Sequence, residues 1–121
     1  KGLHIPVIFS FHDFRSMPPR AELLKIVASM YEEGGSIAKI AVTPETISDT
    51  LLLLNLTYEI SREGKLFAAI GMGPIGRHLR VVAPLYGSVL TYGFIEGGEE
   101  VAPGQFSVKE LRSMLDRLVL K

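Results

Sequence analysis

The stretch Ile37-Ala38-Lys39-Ile40-Ala41-Val42 places one lysine inside an otherwise apolar run. Short apolar runs of this kind are typical of strands that are buried on both faces of a parallel sheet. A lysine is rarely buried in such a strand unless it is paired or reactive. Burial disfavours the ammonium form of a lysine and leaves a neutral amine, which can attack a carbonyl carbon. Lys39 is therefore a candidate Schiff-base lysine, and a strand-end lysine whose ammonium reaches water is the competing interpretation.

The composition fits one small folded domain and excludes several classes of site. The chain has 121 residues, and 47% of them are hydrophobic, which is enough to support a core. The 13 basic and 13 acidic residues give no basic excess that would favour nucleic acid or an anionic membrane as a partner. Cysteine is absent, which excludes disulfides, thiolate metal sites and cysteine nucleophiles. No apolar run approaches the roughly 18 residues of a membrane-spanning helix.

Strand and helix signals alternate along the chain. Short apolar runs predict strands, and helical periodicity between glycines and prolines predicts helices. Thr46 with Asp49, and Ser107 with Glu110, have the spacing of a capping box at a helix start. The predicted strands cover residues 7–12, 37–42, 66–70 and 89–95, and the predicted helices cover residues 21–33, 46–62, 76–85 and 107–120. Four βα units in this order predict an α/β fold with a parallel sheet and right-handed crossovers.

The number of βα units predicts half of a larger barrel. A Gly-x-Gly-x-x-Gly motif does not follow the first strand, which disfavours a dinucleotide-binding domain. A complete (β/α)8 barrel needs about 200 to 250 residues, so four units form about half of one. A half barrel has two open sheet edges. We therefore expect a single half-barrel domain over residues 1–121, cut from a longer chain, that lies against complementary strands from the parent chain or from a second copy.

Four polar side chains are predicted to meet at one end of this sheet. Active sites of such barrels lie at the C-terminal ends of the strands. His12 ends the first predicted strand and Lys39 lies in the second, while Arg80 follows the third strand and Gln105 the fourth. Such a set suits a carbonyl substrate that carries a carboxylate, because the lysine can form an imine and the arginine can bind the acid group.

Each of these residues also has a structural interpretation. Histidine titrates near neutral pH and can shuttle protons, but His12 could instead cap a turn. Arg80 could hold a carboxylate through two parallel hydrogen bonds, or it could be a solvated helix residue, and Arg77 and His78 compete with it for a site role. Gln105 could bond a substrate hydroxyl or only the backbone.

Several short segments, in this order, resemble the type I 3-dehydroquinate dehydratase family. The resemblance extends from Val7 to Leu118. It implies the C-terminal half of a TIM (β/α)8 barrel, with the N-terminal half absent from this chain, and a lyase of the shikimate pathway that dehydrates 3-dehydroquinate to 3-dehydroshikimate. The matching segments are Ser10–Phe14, Ala38–Ala41, Ser48-Asp49, Met72-Gly73 with Gly76 and Arg80, Gly87–Tyr92, and Ala102–Gln105.

The resemblance also assigns roles to the four residues. It implies that Lys39 forms the imine, that His12 is the general acid and base, and that Arg80, rather than Arg77, binds substrate together with Gln105. It implies no metal and no cofactor, and it leads us to expect a cytoplasmic homodimer. Val101 departs from the family pattern, which commonly has a hydroxyl residue four positions before the glutamine.

Two further hypotheses compete with this one. Another Schiff-base enzyme of the class I aldolase type would also use a strand lysine, although the segments around His12 and Gln105 would then be unexplained. Alternatively, the chain is an inactive half-barrel fragment that acts only by association with other proteins, because half of the pocket would be missing.

Overall fold

Three parallel strands form the sheet at the centre of the protein. The computed structural model describes residues 5–95, 98 and 105–119. Its strands and helices are β1 (Ile8–His12), α1 (Arg20–Glu32), β2 (Ile37–Val42), α2 (Ile47–Arg62), β3 (Leu66–Gly71), α3 (Gly73–Gly76), α4 (Leu79–Val82), a 3-10 helix (Ala83–Tyr86), β4 (Gly93–Phe94), β5 (Phe106–Ser107) and α5 (Val108–Leu118). The strand order is β1-β2-β3, so β2 is central and β1 has one unpaired edge within the described residues. The predicted α/β class and parallel sheet are confirmed.

The two faces of the sheet have different surroundings. Alternate residues of a strand point to opposite faces, and in β2 the residues Ala38, Ile40 and Val42 pack against α1 and α2. These two helices contribute the large apolar residues of the core, which include Leu23, Val27, Leu53, Leu56 and Ile60. The strand register places the alternate side chains on the opposite face, where Ile8, Ile37 and Leu66 lie at the N-terminal end of the strands and Ser10, His12, Lys39, Ala41, Ala68 and Ile70 lie nearer the C-terminal end. Except for Ile70, the side chains nearer the C-terminal end are small or polar, which leaves space at that end of the face.

The helix ends follow the predicted capping signals. Ser107 accepts a hydrogen bond from the backbone N–H of Glu110, whose carboxylate accepts from the N–H of Ser107, so the predicted capping box of α5 is confirmed. At α2, the Thr46 hydroxyl accepts from the N–H of Asp49 at 3.1 Å. The Asp49 carboxylate, however, accepts from the N–H of Glu45 at 2.9 Å, one residue earlier than in a capping box. The predicted start of α2 is therefore correct, but the Asp49 carboxylate bonds the N–H of Glu45 instead of the N–H of Thr46.

The continuous helix predicted over residues 76–85 is wrong. The segment forms α3, α4 and a 3-10 helix instead. Pro84 is the physical reason for the break between α4 and the 3-10 helix, because it has no N–H to donate to the carbonyl oxygen of Arg80, four residues earlier. That oxygen accepts a hydrogen bond from the Thr91 hydroxyl at 2.7 Å. The break in the helix thus ties the segment after it back to α4.

The fourth strand predicted over residues 89–95 is also wrong in its extent, so four complete βα units are not confirmed. On the side of β3 away from β2, the described residues form only a bridge between Phe67 and Ser88, with a bond from the N–H of Val89 to the carbonyl of Phe67 at 2.9 Å. The next N–H of β3 that points this way, that of Ala69, donates to the Ser88 side chain at 2.9 Å. The Ser88 hydroxyl thus takes the place of the backbone carbonyl that a fourth strand would offer to Ala69. The same hydroxyl donates to the carbonyl of Leu90.

We expect Ser88→Ala to lower the free energy of unfolding by about 1 to 3 kcal/mol, because it leaves the buried N–H of Ala69 without its acceptor. Urea denaturation followed by circular dichroism measures this difference. Ser29→Ala is the matched control, since the Ser29 hydroxyl bonds an exposed helix carbonyl. That variant should change stability by less than about 0.5 kcal/mol. Equal effects of the two substitutions would contradict the proposed role of the hydroxyl.

None of the helices within the described residues has the length and apolar character needed to cross a membrane.

Candidate active site

A cavity of about 260 Å³ lies at the C-terminal end of the sheet, on the face away from α1 and α2. All four residues predicted from the sequence line it, so the structure brings them together. The lining consists of His12, Phe14, Lys39, Ala41, Ile70, Met72, Arg80, Tyr92 and Gln105. It combines an apolar floor with a few polar groups, which is the usual character of a small-molecule site.

Lys39 projects into this cavity from the central strand. Its neighbours in register are Ser10 on β1 and Ala68 on β3, and both side chains are small. The side chain is half-buried rather than fully buried. Its Nζ lies 4.6 Å from the centroid of the Tyr92 ring, over the ring face. The strand ladder fixes the backbone of Lys39 on both sides, while the small neighbours leave its amine accessible.

His12 lies on the same face of the sheet as Lys39, one strand away and two residues closer to the C-terminal end. It is the last residue of β1 and pairs in register with Ala41. Its ring stacks on Phe14, with centroids 5.8 Å apart and an interplanar angle of 10°. The His12 side chain is exposed because β1 is the edge strand of the described sheet. This placement allows the imidazole to reach a molecule held on Lys39.

The loop after His12 is held by the carboxylate of Asp13. Asp13 Oδ1 accepts from the N–H groups of Arg15 and Ser16, both at 3.0 Å. The backbone of Asp13 is fixed as well, because its N–H donates to Ala41 and its carbonyl accepts from the Thr43 hydroxyl, each at 2.9 Å. The backbone hydrogen bonds from Arg15 and then Ser16 hold the pKa of Asp13 below its usual value of 3.8, since they stabilise the ionised form.

We expect the stabilising effect of Asp13 to depend on pH. Because the pKa of Asp13 is lower in the folded state than in the unfolded chain, its contribution is present above the unfolded value near 3.8 and is lost as the pH falls through the folded value. Asp13→Asn should therefore lower the free energy of unfolding by about 1 kcal/mol at pH 7 and by less at pH 3. Urea denaturation at both pH values measures this.

Asp116→Asn, an exposed carboxylate on α5, is the control for this experiment and should leave stability unchanged at both pH values. A difference between Asp13→Asn and the unsubstituted chain that is the same at pH 3 and pH 7 would contradict the role of the ionised carboxylate.

Arg80 is the arginine that reaches the cavity. It lies on α4 and is only 1% exposed, although it has the largest side chain among the fully buried residues. Arg77 is exposed, and its guanidinium lies 4.4 Å from the centroid of the Phe106 ring, so it is held outside the cavity lining. His78 is exposed as well. A guanidinium presents paired donors that match the two oxygens of a carboxylate.

Gln105 also reaches the cavity, from the residue before β5. It is 8% exposed, so its amide is directed inward. Val101, where the family pattern has a hydroxyl residue, lies outside the described residues, as does the segment 102–104. The structure therefore places the glutamine but not the loop that leads to it.

Sequence reasoning gave no site role to Tyr92, Phe14 or Met72, although all three line the cavity. Their place in the sequence could have indicated a site role, because each of them belongs to one of the segments that resemble the family. Tyr92 was assigned instead to the fourth strand. Within residues 5–95, 98 and 105–119, no cluster of three or more His, Asp or Glu side chains could hold a metal ion.

Comparison with known proteins shows the family of the chain. The family model described as type I 3-dehydroquinase matches residues 1–119. The chain belongs to the type I 3-dehydroquinase family. The resemblance seen in the sequence segments is thereby confirmed. Two similar proteins, both named 3-dehydroquinate dehydratase, come from Methanosarcina mazei (46% identity, covering 98% of this chain and 49% of that protein) and Methanosarcina acetivorans (46% identity, covering 93% and 46%).

Solved structures of 3-dehydroquinate dehydratases have the same fold over most of this chain. The enzyme from Geobacillus kaustophilus gives a TM-score of 0.86 at 32% identity and covers 94% of this chain and 44% of that one. The type I enzyme from Clostridium difficile, solved with covalent modified comenic acid, gives a TM-score of 0.82 at 35% identity over the same shares. The chain spans about half the length of the type I 3-dehydroquinases that it matches.

Proposed function

We propose that this chain is the C-terminal half of a (β/α)8 barrel that dehydrates 3-dehydroquinate to 3-dehydroshikimate, a hydro-lyase step of the shikimate pathway. The observation that carries the proposal is the convergence of His12, Lys39, Arg80 and Gln105 on one cavity. The family assignment and the names of the relatives support the choice of substrate.

Lys39 supplies the covalent step. Its neutral amine attacks the ketone carbon of the substrate, and the carbonyl oxygen leaves as water, so that a protonated imine joins the lysine to the substrate. The imine withdraws electrons from the neighbouring carbon and makes its C–H bond more acidic. The half-buried position of Lys39 over small neighbours supports this role, since the amine is accessible while its backbone is fixed.

His12 supplies the proton transfers. The imidazole removes the acidified proton and then donates a proton to the departing hydroxyl, so one group serves as base and then as acid. Its position two residues beyond Lys39 on the same face supports this role. Hydrolysis of the imine by water finally releases the product and regenerates the amine.

Arg80 and Gln105 bind and orient the substrate in this proposal. The buried guanidinium of Arg80 would form two parallel hydrogen bonds to the substrate carboxylate. The amide of Gln105 would bond a hydroxyl group. Orientation matters because a displacement of about 1 Å at the reacting atoms can cost roughly a hundredfold in rate.

The exposed edge of β1 supports the proposal that a complementary half barrel completes the site. The face of β1 that carries the cavity presents Ile8, Ser10 and His12, and all three residues are exposed to solvent. The complementary strands would come from a parent chain or from a second copy, and we propose a homo-oligomeric, cytoplasmic enzyme without metal or cofactor. We call this chain with its complementary half the assembled barrel.

Trapping of the imine tests the proposed function. The assembled barrel is incubated with 3-dehydroquinate and sodium borohydride, and peptides are examined by mass spectrometry. We expect a reduced adduct on Lys39 and formation of 3-dehydroshikimate without the trap. Absence of the adduct from Lys39 would reject the proposal, and carbon–carbon bond cleavage without dehydration would indicate an aldolase instead.

The unpaired edge of β1 within the described residues favours one second candidate, a half barrel that acts only by association with a complementary half. This candidate predicts that the chain binds a complementary half but never gives turnover or an adduct in the resulting complex. Turnover by that complex would reject it.

A further inference from the structure

The contact between Lys39 and Tyr92 has no part in the catalytic roles described above. Lys39 Nζ lies over the face of the Tyr92 ring, 4.6 Å from its centroid, within the range of a cation–π interaction. Tyr92 does not belong to the parallel sheet. The ring therefore reaches this position through the loop that carries it, not through a strand register.

Two hydroxyl groups fix that loop. The Ser88 hydroxyl accepts from the N–H of Ala69 on β3, and the Thr91 hydroxyl donates to the carbonyl of Arg80 on α4. The second bond involves the residue directly before Tyr92. The ring face is thus anchored to the strand next to Lys39 and to the helix that carries the arginine of the cavity.

We propose that Tyr92 is a positioning residue that holds the Lys39 amine in the cavity through the face of its ring. This inference rests on the proposed function for its purpose, but its test does not use the substrate. The face of an aromatic ring attracts cations and not neutral amines. The ring therefore attracts Nζ when it carries a charge, and a cationic imine formed on Nζ would be attracted in the same way.

The other charged or titratable groups of the cavity lining offer no negative charge that could replace the attraction of the Tyr92 ring for Lys39. They are His12 from β1 and Arg80 from α4, and no carboxylate occurs among the described lining residues. The nearby carboxylate of Asp13 is engaged with the N–H groups of its own loop. The Tyr92 ring is thus a lining group that lies against Nζ of Lys39 and attracts a positive charge there.

Reductive methylation measures the reactivity of each lysine without any substrate. The assembled barrel is treated with formaldehyde and cyanoborohydride at neutral pH, and the rate at Lys39 is read from peptide masses. We expect Tyr92→Leu to raise the methylation rate of Lys39 relative to that of Lys65 by about threefold to tenfold at neutral pH, because the ring no longer holds the charged amine. Tyr92→Phe keeps the ring face and should restore the original rate.

Lys65 is an internal reference in the same samples, because its Nζ lies 5.2 Å from the centroid of the Tyr31 ring, outside the cavity. Its rate should be unchanged by substitution of Tyr92 and should rise with Tyr31→Leu. If Tyr92→Leu disturbs folding, site-specific pentafluorophenylalanine at position 92 keeps the shape of the ring and reverses its electrostatic attraction. An unchanged Lys39 rate with the fluorinated ring, or a Tyr92→Phe rate like that of Tyr92→Leu, would overturn the inference.

Discussion

Replacement of Lys39 by arginine should abolish both imine formation and turnover in the assembled barrel. Arginine keeps the positive charge and the contact with an aromatic ring, but its guanidinium does not add to a ketone as an amine does. We expect kcat for dehydration to fall by a factor of about 10³ or more, because the covalent route is lost. A spectrophotometric assay of the product and borohydride trapping with mass spectrometry measure the two effects.

Lys65→Arg is the matched control for this substitution. Lys65 is another lysine whose Nζ lies over a tyrosine ring, but it lies outside the cavity lining. This variant should retain full turnover. Substantial dehydration by Lys39→Arg would show that the reaction does not need an imine, and it would contradict the role proposed for the central strand.

Replacement of His12 by alanine should separate proton transfer from covalent bond formation. Loss of a general acid or base typically costs a factor of about 10² to 10⁴ in rate. The amine of Lys39 remains present in this variant, and so we expect borohydride to trap an adduct although kcat falls. Comparison of the trapped fraction with the rate of product formation measures this separation.

His78→Ala is the control for the His12 substitution, because His78 is exposed and lies outside the cavity lining. Its kcat should stay within about a factor of two of the unsubstituted value. If His12→Ala lost the adduct and the turnover to the same degree, His12 would act on imine formation alone and not on the elimination.

The central part of the fold and site could be predicted because local signals and tertiary structure agree there. The apolar run around Lys39 predicts a strand, and the structure forms it over the same residues, Ile37–Val42. His12 was placed correctly for the same reason, since it ends a run of β-forming residues. Parallel strands bring their C-terminal ends to one edge, and so the convergence of the two side chains followed from the order of the elements.

The region after β3 could not be predicted in the same way, because single polar groups decide it. Val89 and its neighbours favour a strand by composition, but the Ser88 hydroxyl takes the place of the next strand beside Ala69. Pro84 signalled a helix end, whereas the hydrogen bond from Thr91 to the carbonyl of Arg80 depends on tertiary contact. The position of Tyr92 over Lys39 depends on both features and was therefore missed.

The choice of Arg80 over Arg77 shows what a family pattern adds to residue chemistry. Both arginines lie within the helix predicted over residues 76–85, and residue type alone gives no reason to prefer one. The spacing of Met72, Gly76 and Arg80 in the resemblance favoured Arg80, and the structure places Arg80 in the cavity lining while Arg77 contacts Phe106. The substrate-binding role itself remains a prediction.

The strand order β1-β2-β3 has a consequence for the motions of the two proposed reacting groups. Lys39 lies on a strand that is hydrogen-bonded on both sides, and backbone amides in such strands open only rarely, so their hydrogens exchange slowly with solvent. His12 ends a strand that is bonded on one side, where local opening costs less free energy. The electrophile formed on Lys39 would thus be held still, while the proton-transferring group samples a wider range of positions until further strands pair with its edge.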